Sequence, residues 1–235
     1  MMYKLIIDLI LHYYHYDRPL PLTKPVVKYK PVTLPTVAVV ADSAWAWKKA
    51  VSTVFKNRDL AVEAIFNTFG RRGTPEQLAY ILATAWHESW LRPVEERRAN
   101  PITQSALYNL QNRYWHTGFY GRGFVQLTWR ENYARFGELL DLPLQTNPEL
   151  ALKTNVSSSI LVEGMWHGLF TGVGVKDYIN ESKRDFYQAR RIVNLLDRAS
   201  LIANYAEQLL ESYYKTSQND TVFSKKGKLL PQRWS

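Results

Sequence analysis

Cysteine is absent from all 235 residues of the chain. That excludes disulfides, thiolate metal ligands and a thiol nucleophile, and it suits synthesis in a reducing compartment. Histidine is scarce as well, confined to His12, His15, His87, His116 and His167. His87-Glu88 has the start of a zinc-binding His-Glu-x-x-His helix, but Leu91 stands where the second imidazole belongs, so that motif is missing. No metal and no other cofactor is expected, and His87 reads as a structural residue. Long hydrophobic runs are lacking too. The apolar start, Met1 to Leu11, is short, is interrupted by Asp8 and has no small-residue cleavage site after it. It therefore reads as a packing arm or short amphipathic helix rather than a signal peptide or membrane span.

What is present points to one folded domain with appendages. A hydrophobic content of 46% over this length can fill one sizeable core. The prolines at 19, 21, 25, 31 and 35 forbid a long helix there and favour an extended connector. The expected division is an arm and connector over 1–42, a helical domain over 43–215 and a basic polar tail over 216–235. The net charge of +9 implies attraction to a polyanion: nucleic acid, an anionic membrane or an acidic cell-wall polymer. Basic residues are scattered without a nucleic-acid-binding motif, so nucleic acid is not an expected partner. Lys225, Lys226, Lys228 and Arg233 give the tail a means of touching an anionic membrane or cell envelope. Eight Trp and fifteen Tyr suit stacking on sugar rings or bases, although packing accounts for most aromatics in any protein.

The local signals are mainly helical. Asp42 or Ser43 can cap a helix through Phe55, and Asp59 can open another that Gly70 stops. Thr74-Pro75-Glu76-Gln77 reads as a capping box with proline at the first helical position, followed by Leu78, Ile81, Leu82 and Ala85 on one face. Pro93 is expected to close that helix. Further helices are expected from Asn147-Pro148 and over 156–170, 185–196 and 199–214. The predicted class is mainly α, with a short strand or hairpin plausible only around Phe124-Val125-Gln126-Leu127.

Continuing the spacing of Leu78, Ile81, Leu82 and Ala85 brings Glu88 to the edge of the buried face in the last turn. A partly desolvated carboxyl there, beside the negative end of the helix, suits general acid work. The bland alternative is a surface Glu88 paired with Arg92 or Arg97. Glu95 and Glu96 follow in the next loop and are candidates to face Glu88. Inverting glycoside hydrolysis uses two carboxyls roughly 6.5–9.5 Å apart so that a water fits between base and sugar. Tyr120-Gly121-Arg122-Gly123 offers glycines for tight turns and close approach of a ligand. It is neither a dinucleotide fingerprint nor a phosphate loop. Beyond it, Gln126 and Thr128 would point to one side of an extended segment.

These residues resemble glycoside hydrolase family 19, the chitinases and the related phage and bacterial endolysins. The resemblance rests on His87-Glu88-Ser89, on Arg122 to Thr128 with Asn132-Tyr133, on Gly164-Met165 with Phe170-Thr171-Gly172, and on Ala189 to Asn194. The motifs occur in family order over roughly residues 74 to 210; the first 42 residues and the tail lie outside the match. The resemblance implies a lysozyme-like helical domain with at most a small β-hairpin by an active-site cleft, and a monomer needing no cofactor. It implies Glu88 as general acid and Thr128 as a holder of the attacking water. Gln126, Asn132, Asn194 and Tyr120 become candidate substrate contacts. Pro93-Val94-Glu95-Glu96 resembles the endolysin pattern in which the fourth position is the base, which selects Glu96 over Glu95. Phe124, where many members carry Pro or Tyr, and Leu195, where Gly is usual, imply sugar subsites of altered shape.

The expected activity is inverting cleavage of the peptidoglycan glycan strand by a bacteriolytic hydrolase. Such a protein is made in the cytoplasm and acts in the periplasm or cell wall after release. A chitinase would use the same residues on a neutral polymer. A non-catalytic wall-binding or phage structural module is the alternative outside the enzymes.

Overall fold

The structure is a computed structural model and describes residues 38–70 and 72–225. The expected arm and connector, apart from its last residues, and the tail beyond Lys225 lie outside the described residues. Seven α-helices carry the described part: α1 (Ala38–Val54), α2 (Asp59–Phe69), α3 (Pro75–Ser89), α4 (Ser105–Gln111), α5 (Arg130–Leu140), α6 (Thr154–His167) and α7 (Ala199–Lys225). Two short antiparallel pairs accompany them, β1 (Val94–Glu95) with β2 (Arg122–Gly123) and β3 (Ile179–Asn180) with β4 (Lys183–Arg184). The mainly α expectation holds.

Helix α3 occupies the centre. Its start follows the sequence closely: the Thr74 hydroxyl accepts from Gln77 N at 3.4 Å, Gln77 Oε1 accepts from Thr74 N at 3.0 Å, and Pro75 takes the first turn. Together these satisfy donors that a helix start otherwise leaves open. Gln77 then reaches away from the helix and donates to the Ile179 carbonyl at 2.7 Å, anchoring β3. From Gln77 to His87 every residue is buried, so α3 has no solvent stripe of the ordinary amphipathic kind. Helix α7 packs on it and on α1, while α2 packs on α6.

The end of α3 departs from expectation. Pro93 does not close the helix; Trp90 and Leu91, at φ 59° and 53°, turn it out earlier in the left-handed region. That conformation costs a non-glycine residue roughly 1–2 kcal/mol. It is held by burial of Leu91 and by Arg58 Nε, which donates to the Trp90 carbonyl at 2.9 Å.

Other boundaries move as well. Helix α1 begins at Ala38, so Asp42 and Ser43 lie within it rather than capping it, and the expected domain edge at 42/43 falls inside a helix. The run over 185–196 forms only a 3₁₀ turn, Gln188–Ile192, and Asn147-Pro148 opens a 3₁₀ turn, Pro148–Leu152, rather than a helix. Helix α7 continues past 216 to Lys225, where a loosely ordered tail was expected. The strand near the second motif is Arg122–Gly123, one step before the segment expected to extend.

A partly buried ion cluster clamps α2 to α6. Arg72, just after α2, donates both guanidinium nitrogens to Glu163, at 3.0 Å and 2.6 Å, and His167 Nε2 lies 3.3 Å from the same carboxylate. Burial opposes ionisation of Glu163. The His167 hydrogen bond and the Arg72 guanidinium outweigh it and hold the carboxyl below its ordinary value of 4.5. A carboxyl depressed in the folded state stabilises the fold above the unfolded pKa, and that contribution is lost as pH falls through the folded pKa. Glu163→Gln should therefore cost about 1–3 kcal/mol at neutral pH. In urea denaturation the gap between variant and wild type should close on acidification below about pH 4. A gap of constant size down to about pH 2 would contradict the clamp.

Candidate active site

The expected site residues fall into two neighbouring groups. In the first, Glu88 sits in the last turn of α3 with its side chain only 1% exposed. Neither Arg92 nor Arg97 is its partner. Arg190 Nη1 donates to Glu88 Oε1 at 2.6 Å, and the Arg190 side chain is itself 1% exposed. Arg190 comes from the Gln188–Ile192 turn and is braced by donating from Nε to the Asp197 carbonyl at 2.9 Å. The partly desolvated carboxyl inferred from helical spacing is thus a fully enclosed ion pair. His87, beside it, is buried, and burial pushes its imidazole below the ordinary value, so it is uncharged at neutral pH. Among the described residues no cluster of His, Asp or Glu is arranged to hold a metal ion.

The second group lies where the chain leaves α3. Strand β1 pairs with β2 so that Val94 faces Gly123 and Glu95 faces Arg122. This pairing brings the segment after Glu88 against the segment Tyr120 to Thr128. Glu95 is 45% exposed, and Arg122 Nε donates to it at 3.0 Å. Arg122 Nη1 also donates to the Gly118 carbonyl at 2.9 Å and to the Tyr133 hydroxyl at 3.2 Å, while the Tyr120 ring lies 4.0 Å from the guanidinium.

Glu96 points the other way and is buried. Its Oε1 accepts from Gln111 Nε2 at 2.8 Å and from the Tyr114 hydroxyl at 2.7 Å, and its Oε2 accepts from Gly121 N at 2.9 Å. A carboxylate so engaged fastens α4 and the second motif to β1. It has little capacity left for a water. Geometry gives Glu96, the expected base, the place of a buried structural carboxylate: of the two adjacent carboxylates, Glu95 is the one that meets solvent.

The remaining candidates divide in the same manner. Gln126 has φ 53°, not an extended conformation, and its amide nitrogen donates to the Val94 and Gly123 carbonyls at 2.9 Å and 3.0 Å. It ties the two strands together instead of facing outward as a sugar contact. Asn194 is buried; its Oδ1 accepts from Leu195 N at 2.9 Å, and its Nδ2 has no hydrogen-bond partner. Thr128 is half-buried and donates to the Gln126 carbonyl at 2.9 Å, which leaves its oxygen lone pairs free of that bond. Asn132 donates to the Thr128 carbonyl at 2.8 Å. Tyr120 stacks on Trp115, with ring centroids 4.3 Å apart and the ring planes 11° from parallel. The close approach permitted by Gly123, at φ 84°, is to the protein itself: a Cβ there would lie 2.7 Å from Ser157 Oγ and 2.9 Å from the Ala151 carbonyl.

Sequence reasoning passed over Arg190, Arg122, Gln111 and Tyr114 as functional or supporting residues. The first two sit inside the motifs, and a charged residue within an otherwise apolar run was the available signal. Neither a protein-family model nor a curated protein sequence matches the chain.

The contrast between the adjacent carboxylates is measurable. Glu96→Gln puts an amide donor against N–H and O–H donors and should cost about 1–3 kcal/mol or more. Glu95→Gln removes a half-exposed pair and should cost less than about 1 kcal/mol. Urea denaturation of both variants checks the order, and equal losses would refute the structural role given to Glu96.

Proposed function

We propose that the protein is an endolysin-type glycoside hydrolase of lysozyme-like fold that cleaves the glycan strand of peptidoglycan with inversion. The observation that carries this reading is the β1–β2 pairing, which joins the chain leaving the Glu88 helix to the Tyr120 to Thr128 segment. It makes neighbours of the two motifs on which the family resemblance chiefly rests.

In this mechanism Glu88 takes up a proton from solvent on Oε2 while Arg190 holds Oε1, and gives it to the glycosidic oxygen; the bond from that oxygen to the anomeric carbon breaks with its electron pair going to oxygen. A water attacks the anomeric carbon from the opposite face and loses a proton to Glu95. Arg190 then faces the Glu88 carboxylate that proton donation leaves. The Thr128 hydroxyl, with its hydrogen committed to the Gln126 carbonyl, can accept a hydrogen from the water and turn the water's lone pair toward the sugar. The Tyr120–Trp115 stack and Asn132 are the groups offered to the sugar, and Gln126 and Asn194 support the backbone around them.

A non-catalytic wall-binding module is the second reading, favoured by the enclosure of the Glu88–Arg190 pair. Incubation with purified sacculi and with chitin oligomers, followed by mass spectrometry, separates the readings. Hydrated reducing ends from sacculi support the hydrolase, turnover of chitin alone marks a chitinase, and binding without products marks the module. Glu88→Gln should lower peptidoglycan cleavage by roughly 10²–10⁴-fold. Because the change also leaves a buried guanidinium without its counter-charge, circular dichroism at the assay temperature must show the variant folded. A folded Glu88→Gln that lyses walls at the wild-type rate would end the assignment.

A further inference from the structure

The close of α3 holds an aromatic side chain in solvent at a conformational cost. Leu91 N donates to the Ala85 carbonyl at 3.2 Å, and Trp90 N donates to the Trp86 carbonyl at 2.8 Å. Those paired bonds make a helix ending whose left-handed position usually belongs to glycine. Trp90 takes that position at φ 59°, yet it is 42% exposed and no part of the buried core. Burial of Leu91 accounts for the turn but not for the indole. Glycine at 90 would adopt the same backbone without strain.

The indole ends an aromatic strip drawn from three parts of the fold. Trp90 meets Trp86 with ring centroids 4.9 Å apart, and Trp86 stacks at 4.3 Å on Phe55, the residue after α1. Tyr205 of α7 meets Phe55 edge to face at 5.2 Å. Trp86 is buried, Phe55 and Tyr205 are half-buried, and Trp90 opens to solvent.

Cations without counter-charges border this strip. The Arg58 guanidinium lies 5.9 Å from the Trp86 ring and donates from Nη1 to the Asn57 carbonyl at 2.6 Å as well as from Nε to Trp90. Burial, and after it the charge of nearby Arg92, lowers the Arg58 guanidinium below its ordinary value, although both arginines stay protonated. Arg92 is exposed, and so is Lys56, which follows Phe55 in the chain. Among the described residues none of these three has an ion-pair partner. Asp59, the nearest acid in the chain, sits in the first turn of α2 and accepts from Asn57 Nδ2 at 3.4 Å. Leu60 follows it and is 81% exposed.

We propose that Trp90 and Leu60, with Lys56, Arg58 and Arg92, form a surface that docks on an anionic lipid bilayer. The indole and the leucine enter the headgroup region, where amphipathic rings settle, and the cations meet lipid phosphates. An anionic wall polymer would satisfy the cations alone; a leucine as exposed as Leu60 gains only from an apolar phase, which favours the bilayer. The surface takes no part in the Glu88 chemistry, so the inference stands apart from the hydrolase reading.

Flotation of the full chain with vesicles tests it, using phosphatidylcholine mixed with phosphatidylglycerol against phosphatidylcholine alone. The proteins are wild type, Trp90→Asn and Arg92→Glu, with melting curves for each; asparagine suits the left-handed backbone at 90. Wild type should float with the anionic vesicles, leave them as salt screens the charges, and ignore the neutral ones. Arg92→Glu should weaken binding at least about fivefold, and Trp90→Asn on the order of tenfold. Lys225, Lys226, Lys228 and Arg233 can attract the same vesicles, so the variants decide rather than wild-type binding by itself. If Trp90→Asn does not fold, Arg92→Glu decides alone, since its side chain is exposed and unpaired. Folded variants that bind within about twofold of wild type would overturn the docking surface. Wild type that binds no vesicles, or binds neutral ones equally well, would overturn it too. Binding to purified sacculi that the variants lose, with no binding to vesicles, would assign the surface to a wall polymer and end the bilayer proposal.

Discussion

The ion pair between Glu88 and Arg190 joins the middle of the fold to its C-terminal third, and much of the surrounding architecture serves to complete it. Each charge alone would cost several kcal/mol to remove from water, and removing one partner of such a pair typically costs about 3–5 kcal/mol. Both side chains are almost wholly enclosed, so each depends on the other. Arg190 in turn is braced by the Asp197 carbonyl two residues before α7 begins, which couples the pair to the helix that packs along α3. The same enclosure that makes the pair a structural joint withholds its carboxylate from solvent. Under the proposed hydrolase reading, a substrate has to reach the one carboxylate oxygen Arg190 does not hold.

Glu95 and Glu96 show how local geometry divides neighbouring residues between the surface and the interior. Successive residues of a strand point to opposite faces. In β1 and its continuation that alternation sends Glu95 outward to Arg122 and Glu96 inward to Gln111, Tyr114 and Gly121. The inward carboxylate gathers the smaller apolar cluster of Ala99, Leu107, Leu110 and Tyr114 against the hairpin. A buried carboxylate with donors on both oxygens rigidifies its surroundings, and this one organises the platform on which Tyr120, Thr128 and Glu95 stand.

Features governed by a few adjacent residues were legible beforehand. The Thr74-Pro75-Glu76-Gln77 cap, the stop at Gly70, the burial of Leu78, Ile81, Leu82 and Ala85, and the position of Glu88 in the last turn all follow from short-range rules. Misreadings share a cause. Trp90, Leu91, Gln126 and Trp129 adopt positive φ without being glycine, and only tertiary packing holds them there. The apolar spacing over 185–196 was real, but contacts with Thr171 and Asp197 shaped it into a 3₁₀ turn. Two of the residues expected to touch substrate, Gln126 and Asn194, turned out to bond with main chain, because an amide inside a tight turn meets nearby backbone groups first.

By itself the sequence determined the helical class, the capped start of the central helix, the absence of thiol chemistry and the identity of the polar residues available to a site. Tertiary structure alone decided which of them meet. Residues as far apart as Glu88 and Arg190 are paired by the packing of α7 and its preceding turn onto α3, and no local rule carries that information. Adjacent carboxylates with the same intrinsic chemistry were separated into a solvent-facing group and a buried fastener by the register of a two-residue strand pair. The physical reason is the range of the forces: propensity and capping act within a turn of helix, whereas the cost of burying a charge is met only by a partner that the whole fold delivers.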